Sequence, residues 1–124
     1  DDVLYKILNQ NIKDYIQYID RKTEIIHKIH IGNDTGYQIQ RYIKNEGFYI
    51  WHEDSNSDKN GNRILTFMWY LNDVEEGGET SFTSCKIKPE AGKFVMFPAT
   101  WSYMHKANKP ISSNKYIITG WLFR

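Results

Sequence analysis

The sequence predicts a mainly β protein, a double-stranded β-helix (jelly roll) of two antiparallel sheets preceded by one supporting helix. An amphipathic stripe opens the chain, about eight short strand-like runs follow it, and turn residues separate those runs. A parallel sheet would need helical crossovers between its strands, and no such helices are indicated. We therefore expect the strands to pair in antiparallel fashion.

The helix is predicted over residues 2–19, where apolar side chains recur at helical spacing. Asp1 and Asp2 suit its N-terminus, because the helix dipole stabilises negative charge there. We expect residues 1–20 to support the outside of a sheet and residues 24–124 to form the jelly roll. Together they predict a single domain over residues 1–124, a length that suits one hydrophobic core.

After the helix, runs of apolar residues alternate with polar ones in the manner of strands. Turn signals such as Asn60-Gly61, Gly77-Gly78 and Gly92 separate the runs. The predicted strands are residues 25–31, 36–43, 47–54, 63–71, 80–82, 93–97, 102–106 and 116–123. The polar segment 55–62 has two interpretations, a mobile lid or a long hairpin connection.

Charge and composition exclude some classes of partner. The chain has 16 basic and 15 acidic residues, so its net charge of +1 makes nucleic acid an unlikely partner. No apolar run approaches the ~20 residues that a membrane-spanning helix needs, and no membrane partner is expected. The single cysteine, Cys85, cannot form an internal disulfide, which favours a reducing, cytoplasmic location.

His52 and Asp54 stand two residues apart in a predicted strand, so their side chains are expected to face the same side. An imidazole and a carboxylate can supply two ligands of a metal site, and His105 is the candidate for the third ligand. Two histidines and one carboxylate occupy one face of an octahedron and leave the opposite face open for other ligands. Alone, the His52–Asp54 pair is a weak signal, because polar strand ends produce it by chance.

Lys115 begins the last predicted strand, on the face that it shares with Ile117, Thr119 and Trp121. A lysine that faces the inside of a barrel is costly unless an anion pairs with it. A dicarboxylate cosubstrate would supply that anion. If the strand has the opposite parity, Lys115 is instead solvated, and this alternative stays open.

A set of short motifs runs along residues 38–121 in a specific order. They are Gln40-Arg41-Tyr42, Gly47-Phe48-Tyr49, His52-Glu53-Asp54, Arg63-Ile64-Leu65-Thr66, Tyr70-Leu71-Asn72, Gly77-Gly78-Glu79-Thr80-Ser81-Phe82, Pro89-Glu90-Ala91-Gly92, Phe97-Pro98, His105, Lys115-Tyr116 and Gly120-Trp121. In order and spacing this set resembles the catalytic domain of the prolyl 4-hydroxylase-like branch of the iron(II)- and 2-oxoglutarate-dependent oxygenases.

The resemblance implies roles for individual residues. His52, Asp54 and His105 match the catalytic iron ligands, and Lys115 matches the residue that binds the distal carboxylate of 2-oxoglutarate. Further cosubstrate contacts are expected at Tyr42, Thr66, Tyr70, Thr119 and Trp121. Arg63 either meets a substrate or pairs with Asp58 on the surface, and we favour the surface role.

The function implied by the resemblance is that of a dioxygenase using Fe(II), 2-oxoglutarate and O2, with ascorbate as a supporting reductant. By resemblance it hydroxylates a prolyl residue in a peptide or protein and releases succinate and CO2, although related branches act on small molecules. Two alternatives stay open, a non-catalytic jelly-roll binding module and a cupin-type metalloenzyme that does not use 2-oxoglutarate. Lys115 argues against the second, because that chemistry needs no buried cation. The sequence leaves the oligomeric state open.

Overall fold

A computed structural model of the chain describes residues 2–23, 33–59 and 61–124. The chain divides into two compact units, residues 1–30 and 31–124. In the first unit, helix α1 covers Asp2–Thr23, with Asp2 in its first turn and Arg21 and Lys22 in its last, as the helix dipole favours. The strand predicted over residues 25–31 lies outside the described residues, and the proposed single domain with its boundaries stays a prediction.

The second unit consists of short strands, as the alternating pattern predicts. In the described residues these are β1 Gln38–Tyr42, β2 Tyr49–His52, β3 Ser57–Asp58, β4 Gly61–Tyr70, β5 Thr80–Phe82, β6 Lys86–Ile87, β7 Phe94–Pro98, β8 His105–Ala107 and β9 Lys115–Phe123. A short 3-10 helix, η1, covers Trp101–Tyr103.

Within the described residues, the strands form two antiparallel sheets. The larger sheet has the order β1-β9-β4-β3, with β7 also paired to β4, and the smaller has the order β2-β8-β5-β6. Neighbours in each sheet come from distant parts of the chain, as in β1 with β9 and β2 with β8. This arrangement confirms the predicted jelly roll.

The core of this unit lies between the two sheets. Its buried centre comprises Met68, Tyr70, Phe97 and Ile117 from the larger sheet. Partly buried side chains pack against it from both sheets, namely Tyr42, Phe82, Ile87 and Val95. On β4 and β9, inward-facing residues therefore alternate with residues of the other face, such as Phe67 and Ile118.

The described residues of the segment 55–62 belong to a hairpin connection. Ser57 pairs with Asn62 and Asp58 with Gly61 across β3 and β4, and the Ser57 hydroxyl donates to Asn62 Oδ1 at 2.6 Å. The amide of Arg63 also donates to the Asn56 carbonyl at 3.0 Å. These bonds hold the segment against the sheet, so the hairpin interpretation is favoured over the lid.

Two local details differ from the prediction. The strand predicted over residues 102–106 begins only at His105, because the 3-10 turn of η1 occupies the residues before it. Strands β3 and β6 were not predicted, since two residues are too few for a periodic signal. No helix in the described part of the chain is both long and apolar enough to cross a membrane.

Candidate metal centre

His52 and His105 are brought together by the pairing of β2 with β8, where they stand directly opposite each other. Their ring centroids are 4.2 Å apart. The register shifts between Tyr49 and His52, as in a β-bulge, so these residues line the same cavity although they are three positions apart. The bulge therefore packs the Tyr49 ring against His52, with a centroid distance of 4.5 Å.

Asp54, just beyond the end of β2, completes a cluster with the two histidines. One ligand atom from each of the three residues lies within 4.8 Å of the others. The Nε2 atoms of His52 and His105 are each 3.5 Å from a different oxygen of the Asp54 carboxylate. The spacing of His52 and Asp54 thus places both on one face, as the strand periodicity predicts.

The hydrogen bonds of the two histidines engage Nδ1 of each ring and leave Nε2 available to bind a metal. Nδ1 of His52 is 2.8 Å from the Ile50 carbonyl, and Nδ1 of His105 is 3.0 Å from the Tyr103 carbonyl. A carbonyl only accepts, so each Nδ1 carries a proton, and Nε2, which faces Asp54, is the nitrogen that can bind a metal once it has lost its own proton. Two imidazoles and one carboxylate fit Fe(II), which accepts this ligand set in oxygenases.

Electrostatic effects in the cluster differ from residue to residue. Burial raises the pKa of Asp54, but hydrogen bonds from His52 and Thr66 outweigh it and hold the pKa below its usual value. The hydrogen bond to Asp54 raises the pKa of His52, whereas burial lowers the pKa of His105. The cluster therefore contains an ionised carboxylate and one histidine that favours the neutral form, both suited to metal binding.

Thr66 lies under the carboxylate on β4. Its hydroxyl donates to Asp54 Oδ2 at 2.7 Å, and both groups are buried. The sequence predicts Thr66 as a cosubstrate contact, and it does line the cavity. Its hydrogen bond indicates a different contribution, because a fixed donor orients the ligand carboxylate.

The cluster opens into a cavity of about 390 Å3 between the two sheets. Lys115, Ile117, Thr119 and Trp121 line it from β9, on the face that the alternation predicts. Lining residues that the sequence analysis did not single out for the site include Gln40, Tyr49, Glu53, Ser55, Asn56, Met68, Thr80 and Ala107. Predicted site residues from distant segments of the chain thus line the same cavity.

Lys115 is buried in this cavity, with only 1% of its surface exposed. Its ammonium group donates to the Gly78 carbonyl at 2.9 Å and lies 4.1 Å from the centroid of the Tyr42 ring. Burial lowers the pKa of Lys115 to about 8, and the charge of Glu79 acts in the opposite direction. The solvated alternative for Lys115 is therefore wrong.

Tyr42 and Tyr70, both predicted to contact the cosubstrate, have hydroxyls that already bind protein groups. The Tyr42 hydroxyl donates to Gln40 Oε1 at 3.0 Å, so its ring face rather than its hydroxyl meets Lys115. The Tyr70 hydroxyl lies beneath the cavity wall and donates to Thr80 Oγ1 at 2.6 Å. Burial raises the pKa of Tyr70 to about 12, so this donor keeps its proton.

Thr80 and Arg63 are the most informative residues that the sequence analysis did not assign to the site. The Thr80 hydroxyl accepts from Tyr70 at 2.6 Å and donates to the Met68 sulfur, a weak acceptor, at 3.9 Å. The Arg63 guanidinium stacks over the Trp121 ring at 4.0 Å and lines the cavity, which corrects the favoured surface role. A signal for Thr80 was present, because it belongs to the motif Gly77-Gly78-Glu79-Thr80-Ser81-Phe82 that carries the resemblance.

The comparisons with known proteins agree with this geometry. Residues 37–123 match the family described as the 2OG-Fe(II) oxygenase superfamily. The chain is 36% identical over 81 residues to a PKHD-type hydroxylase of Synechococcus sp. (strain CC9902), which covers 60% of the chain and 35% of that protein. It is also 28% identical to a probable prolyl 4-hydroxylase of Arabidopsis thaliana, over 86% of the chain and 48% of that protein.

Solved prolyl hydroxylases share the fold. A viral collagen prolyl hydroxylase from Paramecium bursaria Chlorella virus-1, solved as a 2OG complex, aligns with a TM-score of 0.69 and 26% identity, covering 94% of this chain and 72% of that one. A prolyl hydroxylase from Trichoplax adhaerens, solved with a hypoxia inducible factor peptide fragment, aligns with a TM-score of 0.66 and 26% identity, covering 79% and 47%.

The chain spans only part of its curated relatives, and for three of them the match covers between 29% and 48% of their length. The matched part nevertheless includes every residue of the cavity, because the family match begins at residue 37 and ends at residue 123. The His-Asp-His cluster, the two-sheet fold and this match lead to the same assignment, and the chain belongs to the 2OG-Fe(II) oxygenase superfamily.

Proposed function

We propose that this protein is an Fe(II)- and 2-oxoglutarate-dependent dioxygenase that hydroxylates a prolyl residue in a peptide or protein and releases succinate and CO2. In this proposal His52, Asp54 and His105 hold the iron, and Lys115 binds the distal carboxylate of 2-oxoglutarate. O2 is the second cosubstrate, and ascorbate is a supporting reductant. The predicted cytoplasmic location stays a prediction.

One observation carries the proposal. A buried lysine without an ion-pair partner among the described residues shares a cavity with a His-Asp-His cluster. An unpaired buried cation is unfavourable, so the cavity favours a ligand that brings a negative charge to Lys115. A 2-oxo dicarboxylate has that charge at one end and a metal-chelating group at the other. A metalloenzyme with no anionic cosubstrate would have no use for Lys115.

Several residues of the cavity have specific roles in this proposed function. The bound Fe(II) and 2-oxoglutarate would supply the chemistry that activates dioxygen. Asp54 contributes the negative charge, and the Thr66 hydroxyl donates to it. The Thr80 hydroxyl donates to the Met68 sulfur, a weak acceptor, and is the donor that can turn toward a carboxylate held by Lys115. The ring of Tyr42 stabilises the ammonium through its π face.

A prolyl substrate is supported by the relatives and by the lining of the cavity near the metal. The solved relative from Trichoplax adhaerens was captured with a peptide fragment. In this chain the Arg63–Trp121 pair and Tyr49 line the cavity, and the buried Arg63 Nε lacks a hydrogen-bond partner among the described residues. An unsatisfied donor beside aromatic rings suits a peptide carbonyl next to an apolar proline ring.

An anaerobic titration with Fe(II) and 2-oxoglutarate tests the site first. A metal-to-ligand charge-transfer band is expected in the wild-type protein and is expected to be absent in His105→Ala. Ser102→Ala, a nearby exposed position, serves as the matched control and should keep the band. No band in a folded wild-type protein that binds Fe(II) would rule out the oxo acid.

The substrate is tested separately by mass spectrometry. Proline-containing peptides should gain one oxygen atom in step with succinate formation, and the same peptides with alanine in place of proline should not. A small molecule that is hydroxylated while every peptide stays unmodified would keep the dioxygenase assignment and contradict the prolyl substrate.

A further inference from the structure

The orientation of the Lys115 ammonium is set by very few contacts. Of its three donors, one is used on the Gly78 carbonyl at 2.9 Å, and the Tyr42 ring covers another side of the group at 4.1 Å. Among the residues that the structure describes, no carboxylate forms an ion pair with it. A single backbone carbonyl therefore determines where the remaining donor points in the cavity.

That carbonyl belongs to a turn with an unusual backbone. Gly77 and Gly78 have φ angles of +73° and +75°, a region that side chains rarely tolerate. The turn is fixed on its other side, because the Gly78 amide donates to the Lys109 carbonyl at 3.0 Å and Gly77 forms an isolated bridge with Pro110. The direction of the Gly78 carbonyl is thus a consequence of two glycines in sequence and of a tether to the segment before β9.

We propose that Gly78 is a positioning residue for the cosubstrate, whose carbonyl orients the Lys115 ammonium toward the distal carboxylate of 2-oxoglutarate. The inference rests on the proposed function and deepens it. The carbonyl fixes one donor of a flexible side chain before the ligand arrives, so less freedom is lost on binding. It also partly satisfies a buried cation that has no ion-pair partner among the described residues.

A purely structural role for Gly78 predicts something different. If the two glycines only form a tight turn, a substitution would weaken Fe(II) binding, cosubstrate binding and folding together. If the carbonyl acts through Lys115, the loss should be confined to ligands that reach Lys115. The two roles are therefore separated by comparing ligands rather than by measuring activity alone.

The variant for this comparison is Gly78→Ala. An added Cβ would lie 3.3 Å from the nearest Val74 methyl and 3.4 Å from Pro110, so the space nearly accommodates it and the positive φ is the main conflict. Gly92→Ala is the matched control, because Gly92 has a φ of +82°, has no atom within 4 Å of an added Cβ, and donates to Tyr70 rather than contacting Lys115. Gly77 is unsuitable, since its Cβ would collide with the Lys109 carbonyl.

We expect Gly78→Ala to raise the dissociation constant of 2-oxoglutarate about tenfold, the order expected for a lost hydrogen bond to a charged group. Binding of 2-oxobutyrate, which has the oxo-acid group but no distal carboxylate, should stay within about twofold in the same variant, the error expected for an unaffected contact. Fe(II) affinity should also be unchanged, and Gly92→Ala should leave all three constants near the wild-type values. An equal loss for both oxo acids in Gly78→Ala would overturn the inference.

A double-mutant cycle with Lys115→Ala gives the decisive comparison. Once the ammonium is removed, the carbonyl has nothing to orient, so Gly78→Ala should no longer change the affinity for 2-oxoglutarate. A tenfold effect that persists in the Lys115→Ala background would also overturn the inference. Wild-type protein that binds Fe(II) but not 2-oxoglutarate would instead refute the proposed function, which keeps the two failures distinguishable.

A second variant covers the case in which Gly78→Ala does not fold. Replacing the amide between residues 78 and 79 by an ester weakens the Gly78 carbonyl as an acceptor and leaves the glycine in place. The same selective loss for 2-oxoglutarate over 2-oxobutyrate is expected. Unchanged affinity for 2-oxoglutarate in the ester protein would contradict the role of the carbonyl.

Discussion

The two ends of the cavity differ in whether their charged groups have partners of opposite charge within the described residues. At the metal end, which comprises His52, Asp54, Thr66 and His105, the polar groups face one another, and the carboxylate lies 3.5 Å from each histidine nitrogen. At the lysine end, which comprises Lys115, Tyr42 and the Gly78 carbonyl, a buried cation has no anionic partner among the described residues. The first end is satisfied within the protein, whereas the second has only a carbonyl and a ring face beside its cation among the described residues.

This difference indicates how the site selects its ligands. The metal end can exchange protons for a cation with little rearrangement, because its ligands already converge. The lysine end keeps an unfavourable buried charge, and in the proposed function a dicarboxylate relieves it, which would favour 2-oxoglutarate over oxo acids with one carboxylate. Variants at the two ends should therefore affect different ligands.

The largest effect is expected for Asp54→Ala at the metal end. The change removes a ligand and the negative charge that offsets the dication, so Fe(II) binding and turnover should both fall below detection. Isothermal titration with Fe(II) and a succinate assay measure the two quantities. Turnover that survives in a folded Asp54→Ala protein would mean that the metal centre lies elsewhere.

Lys115→Ala should have the next largest effect, at the lysine end. Losing one partner of a buried charge pair costs about 2–5 kcal/mol, which corresponds to a roughly 30-fold or greater loss of 2-oxoglutarate affinity. Fe(II) affinity should stay near the wild-type value, because Lys115 does not contact the metal ligands. Equal losses of both ligands in this variant would remove the distinction between the two ends.

Thr66→Val tests how far the metal end depends on an orienting donor. It removes the hydroxyl that donates to Asp54 at 2.7 Å, and we expect a loss of Fe(II) affinity of about 10- to 100-fold. Thr66→Ser should retain most of the affinity. Thr119→Val is a control in the same cavity, since the Thr119 hydroxyl donates to the Phe67 carbonyl instead of Asp54. A loss as large in Thr119→Val would indicate general disturbance of the cavity.

The smallest of the expected effects near neutral pH is that of the pH itself on the affinity for 2-oxoglutarate. Burial lowers the pKa of Lys115 to about 8, so the ammonium that binds the carboxylate is present below that pH and is lost above it. The dissociation constant of 2-oxoglutarate should then rise up to roughly tenfold per pH unit above the pKa. In Lys115→Ala this rise should disappear, and a rise that persists in the variant would assign the titration to another group.

Several features of the site followed from local sequence patterns. The spacing of His52 and Asp54 and the parity of Lys115, Thr119 and Trp121 predict which side chains face the cavity, because alternation along a strand is a property of the backbone itself. The turn at Gly77-Gly78 is marked by residues that tolerate a positive φ. The resemblance of the motif set predicted the family, and the match over residues 37–123 confirms it.

Other features depend on contacts between distant segments. The bulge that packs Tyr49 against His52 depends on the register of β2 against β8, and the stacking of Arg63 on Trp121 depends on the pairing of β4 with β9. Thr80 reaches the cavity wall only because β5 pairs with β8 in the smaller sheet. Register is set by closure of the whole jelly roll, so no local pattern contains it.

From its residues alone, the chain specified an antiparallel two-sheet fold, one face of each strand and the chemistry of a His-Asp-His cluster with a lysine. Which hydroxyl donates to Asp54, which carbonyl holds Lys115 and which rings line the cavity were specified only by the folded chain. The physical reason is that side-chain direction follows from local backbone geometry, whereas hydrogen-bond partners depend on distances between strands that are far apart in sequence.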